Sequence, residues 1–132
     1  MNRQSAKVFA AIVVACFLVA TRASAQFAVP APVKPDGATL FSRQCGTCHI
    51  ATAEGGPRQG PSLYGVFGRK AGSVAGFTYT GAYAESGIVW DAQTLDTYLT
   101  NPQAMIKGTV MAYRQADPAI RQTIIAWLKD QH

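Results

Sequence analysis

The sequence is poor in cysteine and charge, and each shortage excludes a class of protein. Three cysteines in 132 residues are too few for a fold held together by several disulfides. Charged residues make up 14% of the chain without forming a basic block, which argues against nucleic-acid binding. The longest apolar run, Val8 to Ala20, has 13 residues, fewer than the about 20 that a comfortable membrane span needs. The chemistry must therefore come from a small number of residues in a small domain.

The first 25 residues have the features of a cleaved signal peptide. Two basic residues precede the apolar run, and Ala23-Ser24-Ala25 matches the small-x-small site at which signal peptidase cleaves. We therefore predict cleavage before Gln26 and a location in the bacterial periplasm or an equivalent oxidising compartment. Two alternatives stay open: tethering to the membrane by an uncleaved leader, and tethering through a lipid-modified Cys16.

Removal of the leader changes the character of the remaining chain. Its formal net charge falls from +5 to +2, and only two cysteines, Cys45 and Cys48, are left. Residues 26–35 contain three prolines and are expected to form an extended N-terminal segment. The folded domain is predicted to span residues 36–132. A domain of this size buries little apolar surface, and such domains often depend on a cofactor.

Three helices can be predicted from caps and apolar periodicity. Asp36 can cap the first, Asp91 the second and Asp117 the third, in which Pro118 occupies the first turn. The second helix should end at Asn101-Pro102. The apolar faces of the three helices comprise Leu40, Phe41 and Cys45; Leu95, Tyr98 and Leu99; and Ile120, Ile124, Trp127 and Leu128.

A long irregular segment, Ile50 to Trp90, separates the first helix from the second. It contains most of the twelve glycines of the chain and has neither helical nor strand periodicity. An irregular stretch of this length is unusual in a compact domain that packs only on itself. We therefore expect it to wrap around a large, rigid, apolar cofactor.

The motif Cys45-Gly46-Thr47-Cys48-His49 is typical of covalent haem attachment. Two thiols separated by two residues can form thioethers with the two vinyl groups on one edge of a porphyrin, and the adjacent histidine can ligate the iron. A zinc site fits less well, because it would need two more ligands, and the second histidine is His132 at the C-terminal end. A thiol–disulfide pair also fits less well, because it would be expected in a βαβ setting, whereas these patterns are helical.

An iron atom held by His49 needs a sixth ligand, or it stays open to peroxide or gas chemistry. Met105 and Met111 are the candidates, since Met1 would leave with the leader. A methionine is most often core filler. We nevertheless favour Met111, because it follows a glycine-containing loop that can bring its sulfur to the far face of the ring. A thioether opposite histidine is an electron-transfer arrangement.

From Gly37 to Lys129 the chain resembles the class I c-type cytochromes, close to the mitochondrial type and its bacterial relatives. The segments that carry the resemblance are Gly37 and Phe41, Cys45 to His49, Gly60-Pro61-Ser62-Leu63, Gly65-Val66-Phe67-Gly68-Arg69-Lys70, Gly76-Phe77-Thr78-Tyr79-Thr80, Gly87-Ile88-Val89-Trp90, Tyr98-Leu99-Thr100-Asn101-Pro102, Gly108-Thr109-Val110-Met111 and Ala126-Trp127-Leu128-Lys129. The resemblance implies an all-α cytochrome c fold, with three or more helices and long irregular loops around one covalent haem c. It also implies that Gly37 and Phe41 cross the last helix near Trp127.

The resemblance implies roles for the residues around the axial ligands. His49 and Met111 would ligate the iron, and the carbonyl of Pro61 would accept a hydrogen bond from the imidazole of His49. Tyr98 would lie close to the sulfur of Met111. Tyr113 would cover the edge of the haem crevice.

A second group of residues is implied to surround the haem propionates. Tyr79, Thr80, Trp90 and Thr109 would donate hydrogen bonds to the propionates, and Arg69 would compensate their charge. The plainer alternative for the aromatic residues is ordinary core packing.

The resemblance also implies a function, outer-sphere transfer of single electrons, and no enzymatic activity. The expected partners are redox proteins, such as membrane oxidase, reductase or dehydrogenase complexes, that bind a monomer transiently and meet the haem edge. Two alternatives stay open: a peroxidase or gas sensor with an open iron position, and a fixed redox subunit of a larger complex.

One position departs from the family pattern. Relatives usually have proline where this chain has Lys107, four residues before Met111. Loss of the proline removes a fixed φ and should loosen the ligand loop. We hypothesise that Lys107, once deprotonated, replaces Met111 on ferric iron at alkaline pH.

Overall fold

The computed structural model describes residues 33–132. The predicted leader 1–25 and nearly all of the predicted proline-rich extension 26–35 lie outside this range and stay predictions. Within residues 33–132 there are four α-helices and one isolated antiparallel bridge, between Lys70 and Val89, but no strand. None of the helices in this part of the chain is both long and apolar enough to cross a bilayer. The expected all-α fold is confirmed.

Three of the helices begin at the predicted caps. Helix α1 is Gly37–Gln44, and the Asp36 carboxylate accepts a hydrogen bond from the backbone N–H of Thr39 at 2.7 Å. Helix α2 is Ala92–Thr100, where Asp91 and Thr94 form a reciprocal capping box. The last helix, α4, is Pro118–Lys129, with Asp117 as its cap and proline in its first turn.

The sequence did not predict α3, the short helix Pro102–Met105. Asn101 ends α2, and its side chain then accepts a hydrogen bond from the backbone N–H of Ala104 at 3.3 Å, which caps α3. Pro102 interrupts α2 as expected, but it also occupies the first turn of the next helix, where its missing N–H costs nothing.

Helix α4 packs against both α1 and α2. At the crossing with α1, a Cβ atom on Gly37 would lie 2.3 Å from the Cβ of Trp127, so only glycine allows this approach. The rings of Phe41 and Trp127 pack beside this point, with centroids 4.7 Å apart. The implied crossing of the first and last helices is therefore present.

The segment 50–90 is irregular, as predicted, apart from a single 3₁₀ turn at Ala84–Ser86. Backbone hydrogen bonds tie its parts together: Trp90 donates to the carbonyl of Arg69 at 3.0 Å, and Gly68 donates to the carbonyl of Trp90 at 2.8 Å. Another bond, from Gly65 to the carbonyl of Gln131 at 2.6 Å, connects the segment to the residues after α4. The helices therefore form the frame, and this segment is attached to it through the residues after α4.

Candidate haem-binding site

The attachment motif begins at the C-terminal end of α1. Cys45 caps the helix, and the backbone N–H groups of Cys48 and His49 both donate to the Cys45 carbonyl, at 3.0 and 2.9 Å. Both thiols of the motif are free and half-buried. Burial raises the pKa of the Cys45 thiol to about 11, and the neighbouring Cys48 adds to the rise. Reactive cysteines typically have a lowered pKa, so the raised pKa of Cys45 argues against thiol–disulfide exchange.

The imidazole of His49 is held by Pro61 and Gly60. Its Nδ1 lies 2.8 Å from the carbonyl oxygen of Pro61, and because a carbonyl can only accept, Nδ1 must be the protonated nitrogen. The lone pair of Nε2 is then available to a metal. Burial lowers the pKa of His49, an effect that the bond to Pro61 partly offsets, so the imidazole is kept neutral. A Cβ atom on Gly60 would lie 2.2 Å from Cε1 of this ring.

The sulfur of Met111 accepts a hydrogen bond from the hydroxyl of Tyr98 at 3.2 Å. The loop before Met111 packs closely against the backbone of Gly81. A Cβ atom added to Gly81 would lie 2.7 Å from the carbonyl oxygen of Lys107. A backbone bond from Ala82 to the same carbonyl, at 3.2 Å, joins the two segments. The other candidate, Met105, is the last residue of α3 and packs beside the hydrophobic core.

Sequence reasoning missed Tyr83, which lies beside Tyr98. The two hydroxyl oxygens are 2.6 Å apart, and the Tyr83 hydroxyl is also 2.5 Å from Oγ1 of Thr109. Thr109 is buried, and its Oγ1 accepts a hydrogen bond from the backbone N–H of Met111 at 3.2 Å. No periodic signal in the glycine-rich segment could have paired Tyr83 with residues 15 and 26 positions away.

The residues expected around the propionates have partners of their own. The guanidinium of Arg69 donates to the carbonyls of Tyr64 and Ser62 at 2.7 and 2.6 Å, and burial lowers its pKa. Burial raises the pKa of the half-buried Tyr79, whose hydroxyl accepts a hydrogen bond from the backbone of Val74 at 3.4 Å. Two further members have simple environments, since Thr80 is exposed and Trp90 is buried with its ring edge-on to Tyr98. Their roles toward propionates stay predictions.

Tyr113 is connected to the end of α1. Its hydroxyl donates to the side-chain oxygen of Gln44, which also accepts a hydrogen bond from Gln115 at 3.0 Å. Gln44 immediately precedes Cys45, so this contact joins the chain beyond Met111 to the attachment motif. The sequence contained no signal for Gln44, because the contact spans 69 residues.

These residues fit a covalent haem. Two free thiols lie one turn apart, the Nε2 lone pair of His49 is free, and Gly60 leaves the imidazole room that a Cβ would fill. Among residues 33–132, no group of three or more histidine, cysteine, aspartate or glutamate side chains could hold a metal ion, which argues against the zinc alternative.

Comparison with known proteins agrees with this site. The family model for Cytochrome c matches residues 35–131. A cytochrome c of Gibberella zeae is 46% identical over 95 residues, which cover 71% of this chain and 90% of the relative. One of Arabidopsis thaliana is 45% identical over 96 residues, covering 72% and 86%. One of Ulva intestinalis is 42% identical over 106 residues, covering 79% and 96%.

The same comparison corrects the predicted location. The relatives come from a fungus, a plant and a green alga, which as eukaryotes have no periplasm, and they point to the mitochondrial intermembrane space. The prediction of a periplasmic protein, with its membrane-tethered alternatives, is therefore wrong. It depended on the leader alone. That leader also lacks acidic residues, a property shared with mitochondrial transit peptides, so its composition does not identify one compartment.

The described domain combines the helical frame, the attachment motif and a family match over almost all of its length. The three relatives named above are each more than 40% identical to this chain across most of their own length. The chain therefore belongs to the cytochrome c family: it is a single-haem electron carrier that binds one haem c covalently through its cysteines, Cys45 and Cys48.

Proposed function

We propose that His49 and Met111 are the two side chains that would bind the haem iron. One observation carries this proposal: the Tyr98 hydroxyl donates to the Met111 sulfur at 3.2 Å. The protein therefore orients the thioether by itself, without a metal ion. The free lone pair of His49 Nε2 supports the other half, because the bond from Nδ1 to Pro61 selects the tautomer that can ligate.

We further propose that the protein has no enzymatic activity. When bound, the haem supplies an iron atom that exchanges single electrons between Fe(II) and Fe(III). With His49 and Met111 both bound, the iron would offer no open position to a substrate, and the role of the chain would be to support outer-sphere electron transfer. The chain holds both ligands in place, and its buried aromatic residues, such as Trp90 and Tyr98, help to exclude water. A thioether ligand and a dry pocket both favour Fe(II), which predicts a positive reduction potential.

The surroundings of the haem and the bounds of the domain belong to the same proposal. Tyr79, Thr80, Trp90, Thr109 and Arg69 are the proposed partners of the propionates, and Tyr113 the proposed cover of the crevice edge. The domain is proposed to begin at Asp36, which caps α1, and to continue to the C-terminal end.

We infer that the partners are redox proteins that dock transiently on a monomer at the haem edge. Without the leader the domain has a formal net charge of only +2. Lys70, Lys107 and Arg114 are exposed and are the main cations expected near the docking face. So few cations favour a small, short-lived interface over a tight, strongly ionic one.

The test is a visible spectrum and redox titration of the purified holoprotein, together with two methionine variants. Met111→Ala should abolish the Met–Fe(III) charge-transfer band and allow the ferrous form to bind carbon monoxide. Met105→Leu is the matched control and should change neither property. A Met111→Ala protein that keeps the band would refute the axial assignment. Rapid binding of carbon monoxide to the unaltered protein would instead indicate an enzyme or gas sensor.

A further inference from the structure

Four contacts link five polar groups into a closed set that starts and ends on Met111. The backbone N–H of Met111 lies 3.2 Å from Oγ1 of Thr109, and that oxygen lies 2.5 Å from the hydroxyl of Tyr83. The Tyr83 hydroxyl lies 2.6 Å from that of Tyr98, which in turn lies 3.2 Å from the sulfur of Met111. The four contacts therefore form a ring that includes both the backbone and the sulfur of one residue.

Counting hydrogens fixes the direction of every bond in the ring. The Met111 N–H and the three hydroxyls each offer one hydrogen, and the thioether sulfur offers none. The sulfur can only accept a hydrogen bond, so the Tyr98 hydroxyl must donate to the sulfur and accept from the Tyr83 hydroxyl. Tyr83 must then accept from Thr109, which in turn accepts from the backbone N–H. Only this direction uses all four hydrogens in all four contacts.

We propose that Tyr83 is a positioning residue for the Met111 ligand: by donating to the Tyr98 oxygen, it commits the Tyr98 hydrogen to the sulfur and strengthens that bond. This proposal rests on the proposed ligation by Met111. Hydrogen bonds arranged in a chain polarise one another, so each donor in the ring strengthens the next. Tyr83 therefore acts on the ligand through Tyr98.

The surroundings of Tyr83 hold its ring and hydroxyl in place. Its ring packs against those of Tyr79 and Tyr98, with centroid distances of 5.0 and 6.3 Å. Its backbone carbonyl accepts a hydrogen bond from the hydroxyl of Ser86 at 2.6 Å, in the 3₁₀ turn that follows. On the other side, a Cβ atom on Gly72 would lie 3.1 Å from the Cβ of Tyr83. The hydroxyl is therefore presented by a packed side chain.

A stronger donor to the sulfur makes Met111 a poorer electron donor to the metal, and ferric iron loses more from this than ferrous iron. Removal of the Tyr83 hydroxyl should therefore lower the reduction potential and strengthen the hold of Met111 on the ferric metal. If Tyr83 had only a structural role, removal of its hydroxyl would loosen the loop, and Met111 would be displaced more easily.

The experiment compares ferric holoproteins by titration with imidazole, following loss of the Met–Fe(III) charge-transfer band. In Tyr83→Phe we expect imidazole to displace Met111 about threefold to tenfold less readily, the effect of weakening one hydrogen bond, and the potential to fall. Tyr64→Phe is the matched control, since its hydroxyl lies outside the ring of contacts, and should leave both values unchanged. In a Tyr98→Phe background, Tyr83→Phe should have no further effect.

Three results would overturn the proposal: unchanged displacement in Tyr83→Phe, easier displacement, or an equal effect of Tyr83→Phe when Tyr98 is absent. A failure of the proposed axial ligation looks different, because the charge-transfer band would then be missing from the unaltered protein before any imidazole is added.

Discussion

Gly60→Ala adds only one methyl group, but it should strongly disturb the position of the His49 imidazole. An alanine Cβ at this position would lie 2.2 Å from Cε1 of the His49 ring and 2.6 Å from Nδ1. Ordinary contact begins at 3.4 Å, so the ring or the backbone must move by about 1 Å. The backbone of Gly60 is poorly placed to move, because its N–H donates to the carbonyl of Cys48 at 2.9 Å. The imidazole must therefore give way.

Two effects of Gly60→Ala should lower the free energy of unfolding. Overpacking of a filled site costs about 1–3 kcal/mol. Displacement of the ring also lengthens the bond from His49 Nδ1 to Pro61, now 2.8 Å, whose loss costs about 1 kcal/mol. We expect the free energy of unfolding to fall by about 2–4 kcal/mol. The reduction potential should rise, because an imidazole without this bond is less basic and stabilises ferric iron less.

The assay is urea unfolding of the ferric holoprotein, followed by circular dichroism, together with a redox titration. Gly56→Ala is the matched control, since a Cβ there meets nothing within 4 Å and its stability should stay within about 0.5 kcal/mol of the unaltered protein. If Gly60→Ala and Gly56→Ala proved equally stable, with the same potential, the argument from the His49 contact would fail.

Three further predictions test other parts of the molecule. Gly37→Ala should lower the free energy of unfolding by about 1–3 kcal/mol in urea, because the added Cβ would overlap Trp127 and separate α1 from α4, and a stability at or above that of the unaltered protein would contradict this. A backbone hydrogen bond from Thr94 lowers the pKa of Asp91, so this carboxylate contributes stability that is complete above its unfolded pKa of about 4 and is lost as the pH falls through its lower folded pKa. Asp91→Asn should therefore flatten the decline of the urea midpoint in acid, and an unchanged slope would exclude the effect. Lys107→Ala should move the alkaline loss of the Met–Fe(III) band to higher pH if this exposed lysine is the replacing ligand, whereas an unchanged transition would exclude it.

The helix starts were predictable because their signals are local. An aspartate cap needs only the two or three residues that follow it, and Asp36, Asp91 and Asp117 all act as predicted. Helix α3 was missed because a proline such as Pro102 can either end one helix or begin another. The choice between them depends on how Asn101 is placed, and its neighbours in sequence do not settle that.

Contacts between distant segments were visible only through the family resemblance or not at all. The bond from His49 to Pro61 was expected from the resemblance, and the structure contains it. The contacts of Tyr83 with Tyr98 and Thr109, and of Tyr113 with Gln44, had no local signal in the sequence. Side chains brought together across many residues leave no periodic trace along the chain.

By itself the sequence determined the attachment chemistry, the helical class and the irregular character of the middle segment. Each follows from short-range features of the sequence: the spacing of two thiols, the caps of the helices, and a glycine-rich segment without periodicity. Only the tertiary structure decided that Tyr83 and Thr109 join Tyr98 around Met111, and in which direction their hydrogens point. The physical reason is that a hydrogen-bond direction depends on which donors and acceptors meet in space, and that meeting is an outcome of packing.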